Sequence, residues 1–255
     1  MGTATVIGAT VRLTALLLAL TPTTGAAAEK ELLPGIGALD RRVPIESTAW
    51  PWAAIGRLNT STGRYCTATL IARDAVVTAA HCVHDPRTGR RVHPSTLHFL
   101  AGYQRGTHVA HAVARSIQVA APDRTGEAAG IDRVADDWAI VTLAAPLSVR
   151  PIPVRRTEGE ETGAVPKGSL LRAGYSQDRP HLLAVHDGCS VKQYLAHGRV
   201  WLTDCDATRG DSGSPVLMRR GATVDLVGIT AAVTDGDTAG SLVVPATAFA
   251  AAPKQ

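Results

Sequence analysis

The sequence predicts an all-β protein made of two similar antiparallel β-barrels packed face to face. Short apolar runs alternate with turns from residue 50 to residue 244, a spacing typical of a sandwich or barrel. Few stretches keep a helical period for three turns, and a proline-rich stretch separates two halves of the same style. Hydrophobic residues make up 45% of the 255 positions, which is enough for a packed core.

The first 28 residues are typical of a secretory signal peptide. Arg12 precedes the apolar run Leu13–Leu20, Pro22 lies just after that run, and residues 26–28 are alanines suited to cleavage. A membrane anchor is the alternative, but the run is too short to cross a bilayer as a helix. We therefore expect a secreted, extracellular protein with no membrane association after signal removal.

Residues 29–45 are predicted to be an extended lead-in or pro-segment, because prolines and glycines interrupt any helical pattern. The first barrel is assigned to residues 46–145. Its strands are expected in the apolar runs 52–58, 65–72, 75–80, 92–103, 108–119 and 138–144. The last run is nearly continuous, as in a strand that is buried on both faces.

The stretch 146–168 is predicted to link the two halves, since it contains four of the prolines and several charges. The second barrel is assigned to residues 169–255. Its strands are expected in the apolar runs 169–175, 182–185, 199–202, 215–218, 224–232 and 242–244. A polar loop is expected over 122–130, and a short helix near the C terminus over 245–252.

The four cysteines are expected to form disulfides, because an exported protein meets an oxidising environment. Four cysteines allow three pairings, and the simplest joins neighbours within each half at equal spacing. A zinc site is the alternative, but the chain has no Cys-x-x-Cys motif and no compact Cys/His set, so no metal is expected. The predicted pairs are Cys66–Cys82 and Cys189–Cys205.

The charge pattern argues against a nucleic-acid-binding protein. The formal net charge is +4, and the 26 Lys and Arg residues are scattered instead of forming a stripe with interleaved aromatics. We expect an ordinary basic surface and no nucleic-acid partner.

Ser212 lies in a glycine-rich turn between Gly210 and Gly213, and Pro215 follows. Glycines allow a tight turn in which backbone N–H groups converge on one oxygen. A hydroxyl on such a turn suits acyl transfer, which needs a nucleophile beside an oxyanion hole. Taken alone, the motif is equally consistent with a simple Gly/Ser-rich turn.

Two further residues supply the groups that such a serine needs. His81 ends an apolar run and precedes Cys82, and an imidazole is the commonest general base near neutral pH. Asp137 lies at the mouth of a buried strand, where a carboxylate needs a partner. The alternatives are an ordinary histidine at a strand end and an aspartate that caps a turn, as Asp136 could do.

The segments 78–82, 137–143 and 210–215 together resemble the three signature segments of the trypsin/chymotrypsin-like serine peptidases, in the same order of His, Asp and Ser. Trp50-Pro51-Trp52 resembles the family's first core strand, and the similarity extends to about Phe249. Ser214 in place of a glycine and an alanine-rich second half are closest in style to the bacterial glutamyl-endopeptidase-like branch. The resemblance implies two six-stranded barrels of the trypsin-like type.

The resemblance also implies the roles of the site residues. Ser212 would be the nucleophile, His81 the general base and acid, and Asp137 the carboxylate that orients the imidazole. The backbone N–H groups of Gly210 and Ser212 would form the oxyanion hole. The implied activity is serine-type endopeptidase hydrolysis of protein or peptide substrates, without a cofactor, by a monomer.

The specificity pocket is less clearly defined. Asp206 occupies the place at which trypsin-like members bind Arg or Lys, with a solvated loop residue as the alternative. Thr230 follows Gly228-Ile229, where glutamate-preferring members carry a histidine, so the sequence does not support glutamate preference.

The family's freed Ile-Val-Gly-Gly terminus is absent from the sequence, yet the aspartate before the serine is present as Asp211. If buried, this carboxylate needs a positive partner. The candidates are a terminus freed after Arg41 or Arg42, or a nearby arginine such as Arg209.

Two other functions remain open from the sequence. One is a catalytically silent binding protein on the same fold, which the lost terminus motif allows. The other is a secreted esterase that uses the same triad chemistry.

Overall fold

The structure is a computed structural model that describes residues 1–3, 33–120, 130–157 and 165–250. The predicted signal core, most of the polar loop, part of the predicted linker and the last five residues lie outside the described residues. Residues from Leu32 onward form one compact unit. Within the described ranges, regular structure consists of strands, short 3-10 turns and one short α-helix, so the predicted all-β class is confirmed.

The first half folds as a closed six-stranded antiparallel barrel with the strand order β2-β3-β4-β7-β6-β5. Its strands are β2 (Ile55–Thr60), β3 (Tyr65–Ala72), β4 (Ala75–Thr78), β5 (Leu97–Ala101), β6 (Ala110–Val119) and β7 (Ala139–Leu143). Alternation determines which face is buried: Leu97, Phe99 and Ala101 of β5 are fully buried, whereas His98 and Leu100 between them are only partly buried.

The second half forms an eight-stranded antiparallel sheet with the order β1-β9-β8-β12-β13-β14-β11-β10. Its strands are β1 (Val43–Ile45), β8 (Leu170–Gly174), β9 (Leu183–Cys189), β10 (Val191–Leu195), β11 (Val200–Thr203), β12 (Pro215–Arg220), β13 (Thr223–Thr234) and β14 (Gly240–Pro245). The family resemblance implied six strands here. The lead-in strand β1 and the hairpin strand β10 extend the sheet at its two edges.

Four elements differ from the sequence-based expectation. β1 has only three residues, two of them exposed, and β10 is interrupted by the exposed Lys192 and Gln193, so neither contains the longer apolar run on which the strand predictions depended. The one α-helix among the described residues, α1 (Ile131–Ala135), has only five residues, too few for a helical period to show in the sequence. At the expected C-terminal helix, the described residues form a 3-10 turn over Ala246–Ala248.

One hydrophobic core joins the two halves, because its buried residues come from both sheets. The described part of the predicted linker also contacts both. Ile152 is fully buried and its N–H donates to Leu70 O of β3 at 2.9 Å, while Leu226 N–H of β13 donates to Pro153 O at 2.8 Å. The segment is therefore packed against both halves.

Both predicted disulfides are present, Cys66–Cys82 in the first half and Cys189–Cys205 in the second. Their sulfurs are covalently paired, so the four cysteines are not zinc ligands. No helix in the described ranges has the length and apolar character that crossing a membrane would require.

Candidate active site

His81 and Asp137 are brought together by two neighbouring barrel strands. β4 and β7 pair antiparallel with Thr78 opposite Ala139, so the end of β4 lies beside the beginning of β7. His81 lies in the 3-10 turn Ala80–Val83 that follows β4, and Asp137 lies just before β7. Two residues that are far apart in the sequence therefore meet at one edge of the barrel.

The contact between them has the geometry of a charge-assisted pair. His81 Nδ1 lies 2.8 Å from Asp137 Oδ2, and the backbone N–H of His81 donates to Asp137 Oδ1 at 3.0 Å. Asp137 is only 7% exposed, whereas the His81 side chain is 40% exposed. The buried carboxylate favours a proton on Nδ1, which leaves the lone pair of a neutral imidazole on Nε2.

The turn that carries Ser212 packs against β3 and the end of β4, close to the turn that carries His81. Ser212 O accepts the N–H of Thr67 in β3 at 2.9 Å, and Gly213 N–H donates to Thr230 O at 2.7 Å. Gly213 has φ +79°, and a Cβ there would lie 2.2 Å from Thr78 Oγ1. Only glycine allows this close approach, which places the backbone of Ser212 beside the turn of His81.

The disulfide Cys66–Cys82 lies between these two segments. Cys82 Sγ is 3.9 Å from Ser212 O, and the two sulfurs and a ring nitrogen of His81 lie within 4.8 Å of one another. Because both sulfurs are bonded to each other, this trio is not a metal site. The disulfide ties β3 to the turn that carries His81.

The backbone around Gly210 has the features of an anion-binding turn. Gly210 has φ +89°, and a Cβ there would lie 2.4 Å from Tyr175 O. Its carbonyl accepts the hydroxyl of Thr67 at 3.1 Å. Among the described residues, the N–H groups of Gly210 and Ser212 have no intramolecular acceptor, which leaves both donors available to a ligand oxygen.

Asp211 is fully buried, and its partner is not among the candidates from the sequence. Arg172 Nη1 lies 2.5 Å from Asp211 Oδ1, and both side chains are 0% exposed. Ser176 Oγ and the N–H of Thr208 donate to Asp211 Oδ2 at 2.7 Å and 2.8 Å. An arginine was among the expected kinds of partner, but it is Arg172 of β8 that fills this place and not Arg209 or a freed terminus.

Arg172 could have been noticed in the sequence, because it is a charged residue inside an otherwise apolar predicted strand. Arg172 lies in the run 169–175, in which every residue of β8 is buried. A charged residue in a fully buried strand needs a buried counterion, and Asp211 is that counterion.

Asp206 is 0% exposed, so the alternative of a solvated loop residue was wrong. Arg41 of the lead-in contacts its carboxylate, and the N–H of Asp206 donates to His186 Nδ1 at 2.8 Å. Burial lowers the pKa of His186, and the charges of Arg41 and Arg172 lower it further. A neutral ring with an unprotonated Nδ1 agrees with its role as hydrogen-bond acceptor.

Thr230, the other pocket candidate, is also buried, and its backbone forms hydrogen bonds with the two residues that follow Ser212. Its N–H donates to Ser214 O at 2.9 Å, and its carbonyl accepts Gly213 N–H. A role in recognising a substrate side chain stays a prediction for both Asp206 and Thr230.

A cavity of about 380 Å³ lies elsewhere, on the β3, β4, β6 and β7 side of the first barrel. Its walls include Ile71, Ile117, Ile140 and Phe249. It contains none of the three candidate catalytic side chains, so cavity size alone does not locate this site.

Comparisons with known proteins identify the family and the fold. The trypsin family model matches residues 41–252. A solved structure described as a Glu endopeptidase in complex with MPD aligns with a TM-score of 0.64 and 21% identity, covering 82% of this chain and 92% of that one. A comparison with curated proteins gives no significant match.

The structural similarity, at this identity, concerns the fold alone. The family model matches most of the chain, including all three candidate catalytic residues. The chain therefore belongs to the trypsin family.

Proposed function

We propose that this protein is a secreted serine endopeptidase with His81, Asp137 and Ser212 as its catalytic triad. The observation that carries the proposal is the His81–Asp137 pair, with Nδ1–Oδ2 at 2.8 Å, located where the Ser212 turn packs on β3 and β4. The backbone of the Ser212 turn lies beside the segment that carries His81, which supports the proposal. The predicted signal peptide and the two disulfides support export.

The chemistry follows from the roles of these groups. His81 Nε2 takes the proton of Ser212 Oγ while that oxygen attacks the carbonyl carbon of the scissile peptide bond. The N–H groups of Gly210 and Ser212 donate to the oxyanion of the tetrahedral intermediate. The imidazolium, stabilised by Asp137, then protonates the leaving amine. Water hydrolyses the resulting acyl-enzyme with His81 as the base again.

The proposed substrates are proteins or peptides. The similar solved structure is a Glu endopeptidase by its title. We do not transfer that preference, because Thr230 stands where glutamate-preferring members carry a histidine. We propose no cofactor and a monomeric enzyme.

The test is active-site labelling of the folded mature protein with a fluorophosphonate, followed by casein hydrolysis. We expect stoichiometric label on Ser212 in the wild type, and neither label nor hydrolysis in Ser212→Ala. Ser95→Ala, an exposed serine outside the site, is the matched control and should behave as the wild type.

Two results would contradict the proposal. A folded wild type that neither labels nor hydrolyses casein would indicate a catalytically silent binding protein. Label on Ser212 with turnover of esters but not of the matched peptides would indicate an esterase.

A further inference from the structure

The lead-in contains a segment, residues 35–42, that we call the strap. Its two adjacent arginines contact different loops of the second half. Arg41 binds Asp206 through Nε–Oδ2 at 3.2 Å, Nη2–Oδ1 at 3.2 Å and its backbone N–H at 2.9 Å. Arg41 Nη2 also donates to Asp204 O at 2.9 Å. Because Asp206 is fully buried, the strap supplies the cation that its charge requires.

Arg42 binds the other loop in a bidentate pair. Its Nη1 and Nη2 each lie 3.0 Å from an oxygen of Asp178, and its side chain is 1% exposed. Asp40 bridges Arg42 and Arg179. Burial acts to raise the pKa of Asp40, but hydrogen bonds and charge from Arg42 outweigh it and hold this pKa well below its usual range. The cluster is therefore fully charged at neutral pH.

These two loops are the ones that hold Asp211. Ser176, two residues before Asp178, donates its hydroxyl to Asp211 Oδ2 at 2.7 Å. Thr208, two residues after Asp206, donates its N–H to the same oxygen at 2.8 Å. The strap therefore acts on Asp211 from both sides, one residue before the proposed nucleophile.

The beginning of the strap is packed as tightly as its arginines. Gly35 has φ +80°, and a Cβ there would lie 2.1 Å from Ala207 O. Gly35 N–H donates to Asp235 Oδ1 at 3.2 Å, and Gly35 O accepts Ala207 N–H at 3.2 Å. Such contacts are those of a permanent part of the fold, whereas a removable pro-segment would leave Asp206 buried without its cation.

We infer that the strap stays on the mature enzyme and that Arg41 and Arg42 are positioning residues for the oxyanion loop 206–212. The inference rests on the proposed serine peptidase function. Processing then occurs before Gly35 and not after Arg41 or Arg42. Asp206 serves the strap, so it does not bind an Arg or Lys side chain of the substrate.

The kinetic test compares Arg41→Ala, Arg42→Ala and Arg42→Lys with Arg115→Ala, an exposed arginine of β6, as the matched control. We expect kcat on a peptide ester and the rate of fluorophosphonate labelling to fall about 10-fold in both strap variants. KM should change much less, because the substrate-binding surface stays in place. Arg42→Lys should recover part of kcat, since it keeps the charge but loses the bidentate geometry.

Strap variants that are folded and keep the kcat of the wild type would overturn the inference. A second measurement covers variants that fail to fold: N-terminal sequencing of the secreted wild type after labelling at Ser212. Labelled enzyme that begins at or before Gly35 supports the inference, and labelled enzyme that begins at Val43 without the strap overturns it. A wild type that retains the strap but never labels contradicts the proposed function instead.

Discussion

At the scale of single residues, the buried pair of Arg172 and Asp211 is the feature most sensitive to substitution. Removing one partner leaves an unpaired charge in the core, so Arg172→Met should lower the free energy of unfolding by about 3 to 5 kcal/mol. The double variant Arg172→Met/Asp211→Asn should lose less, because neither charge remains. Urea titration measures the free energy of unfolding of the single and the double variant, with Arg115→Met as the exposed control. Equal stability of Arg172→Met and the wild type would refute the expectation.

Two glycines, Gly213 and Gly63, share a left-handed backbone but differ in how closely other atoms approach them. Gly213 and Gly63 have nearly the same φ, +79° and +82°, but a Cβ at Gly63 meets nothing within 4 Å. Gly63→Ala should therefore cost only about 1 kcal/mol, the cost of the left-handed backbone. Gly213→Ala adds a clash with Thr78 and Thr67, so it should cost about 2 to 4 kcal/mol and abolish hydrolysis.

Urea titration and casein hydrolysis distinguish the two glycine variants. If Gly213→Ala cost no more than Gly63→Ala, the close approach of the Ser212 turn to β3 and β4 would be wrong.

At the scale of elements, the two disulfides close loops of equal sequence separation, 16 residues each, in different surroundings. Replacing either pair by alanines should cost about 3 kcal/mol by the loop-entropy argument. Cys66–Cys82 lies against His81 and Ser212 O, whereas Cys205 precedes Ser212 by seven residues along the chain. Its removal should lower kcat by about 10-fold or more, because small displacements of catalytic groups are costly.

The Cys189–Cys205 variant is the matched comparison for that kinetic effect, since it removes a cross-link that closes a loop of the same length. Thermal unfolding and kcat are measured on both variants. An equal loss of kcat in the two would show that general loosening, and not the position of the first disulfide, governs turnover.

At the scale of the whole molecule, the shared core predicts a single cooperative unfolding transition. Buried residues of both sheets form one cluster that includes Trp138, whereas Trp201 lies in a smaller cluster of the second sheet. Two variants, each retaining only one of these tryptophans, report on the two regions separately by fluorescence. We expect the same urea midpoint for both signals. Distinct midpoints would show that the smaller cluster unfolds on its own.

The strands that could be predicted are those in which a continuous local run of residues is buried and turns bound the run. β3 spans residues 65–72, the predicted run, because its residues from Cys66 to Leu70 are all buried and polar turns bound it. β1 escaped prediction because its position depends on pairing with β9, more than a hundred residues later. No local window contains that information.

The candidate site divides in the same way. His81, Asp137 and Ser212 could be named from the sequence because three short motifs, in the order His, Asp and Ser, together resemble the signature segments of a known family. Arg172 and Arg41 could not, because nothing local identifies the carboxylates that they neutralise, Asp211 and Asp206.

The sequence by itself determined the all-β class, the pairing of the cysteines and the three candidate catalytic residues, since periodicity, spacing and motif are local properties. The tertiary structure alone decided which buried charges pair, because burial and distance depend on the packing of segments remote in the chain. It also decided where the lead-in packs, since β1 pairs with β9 and Arg41 contacts the buried Asp206, both far away in the sequence.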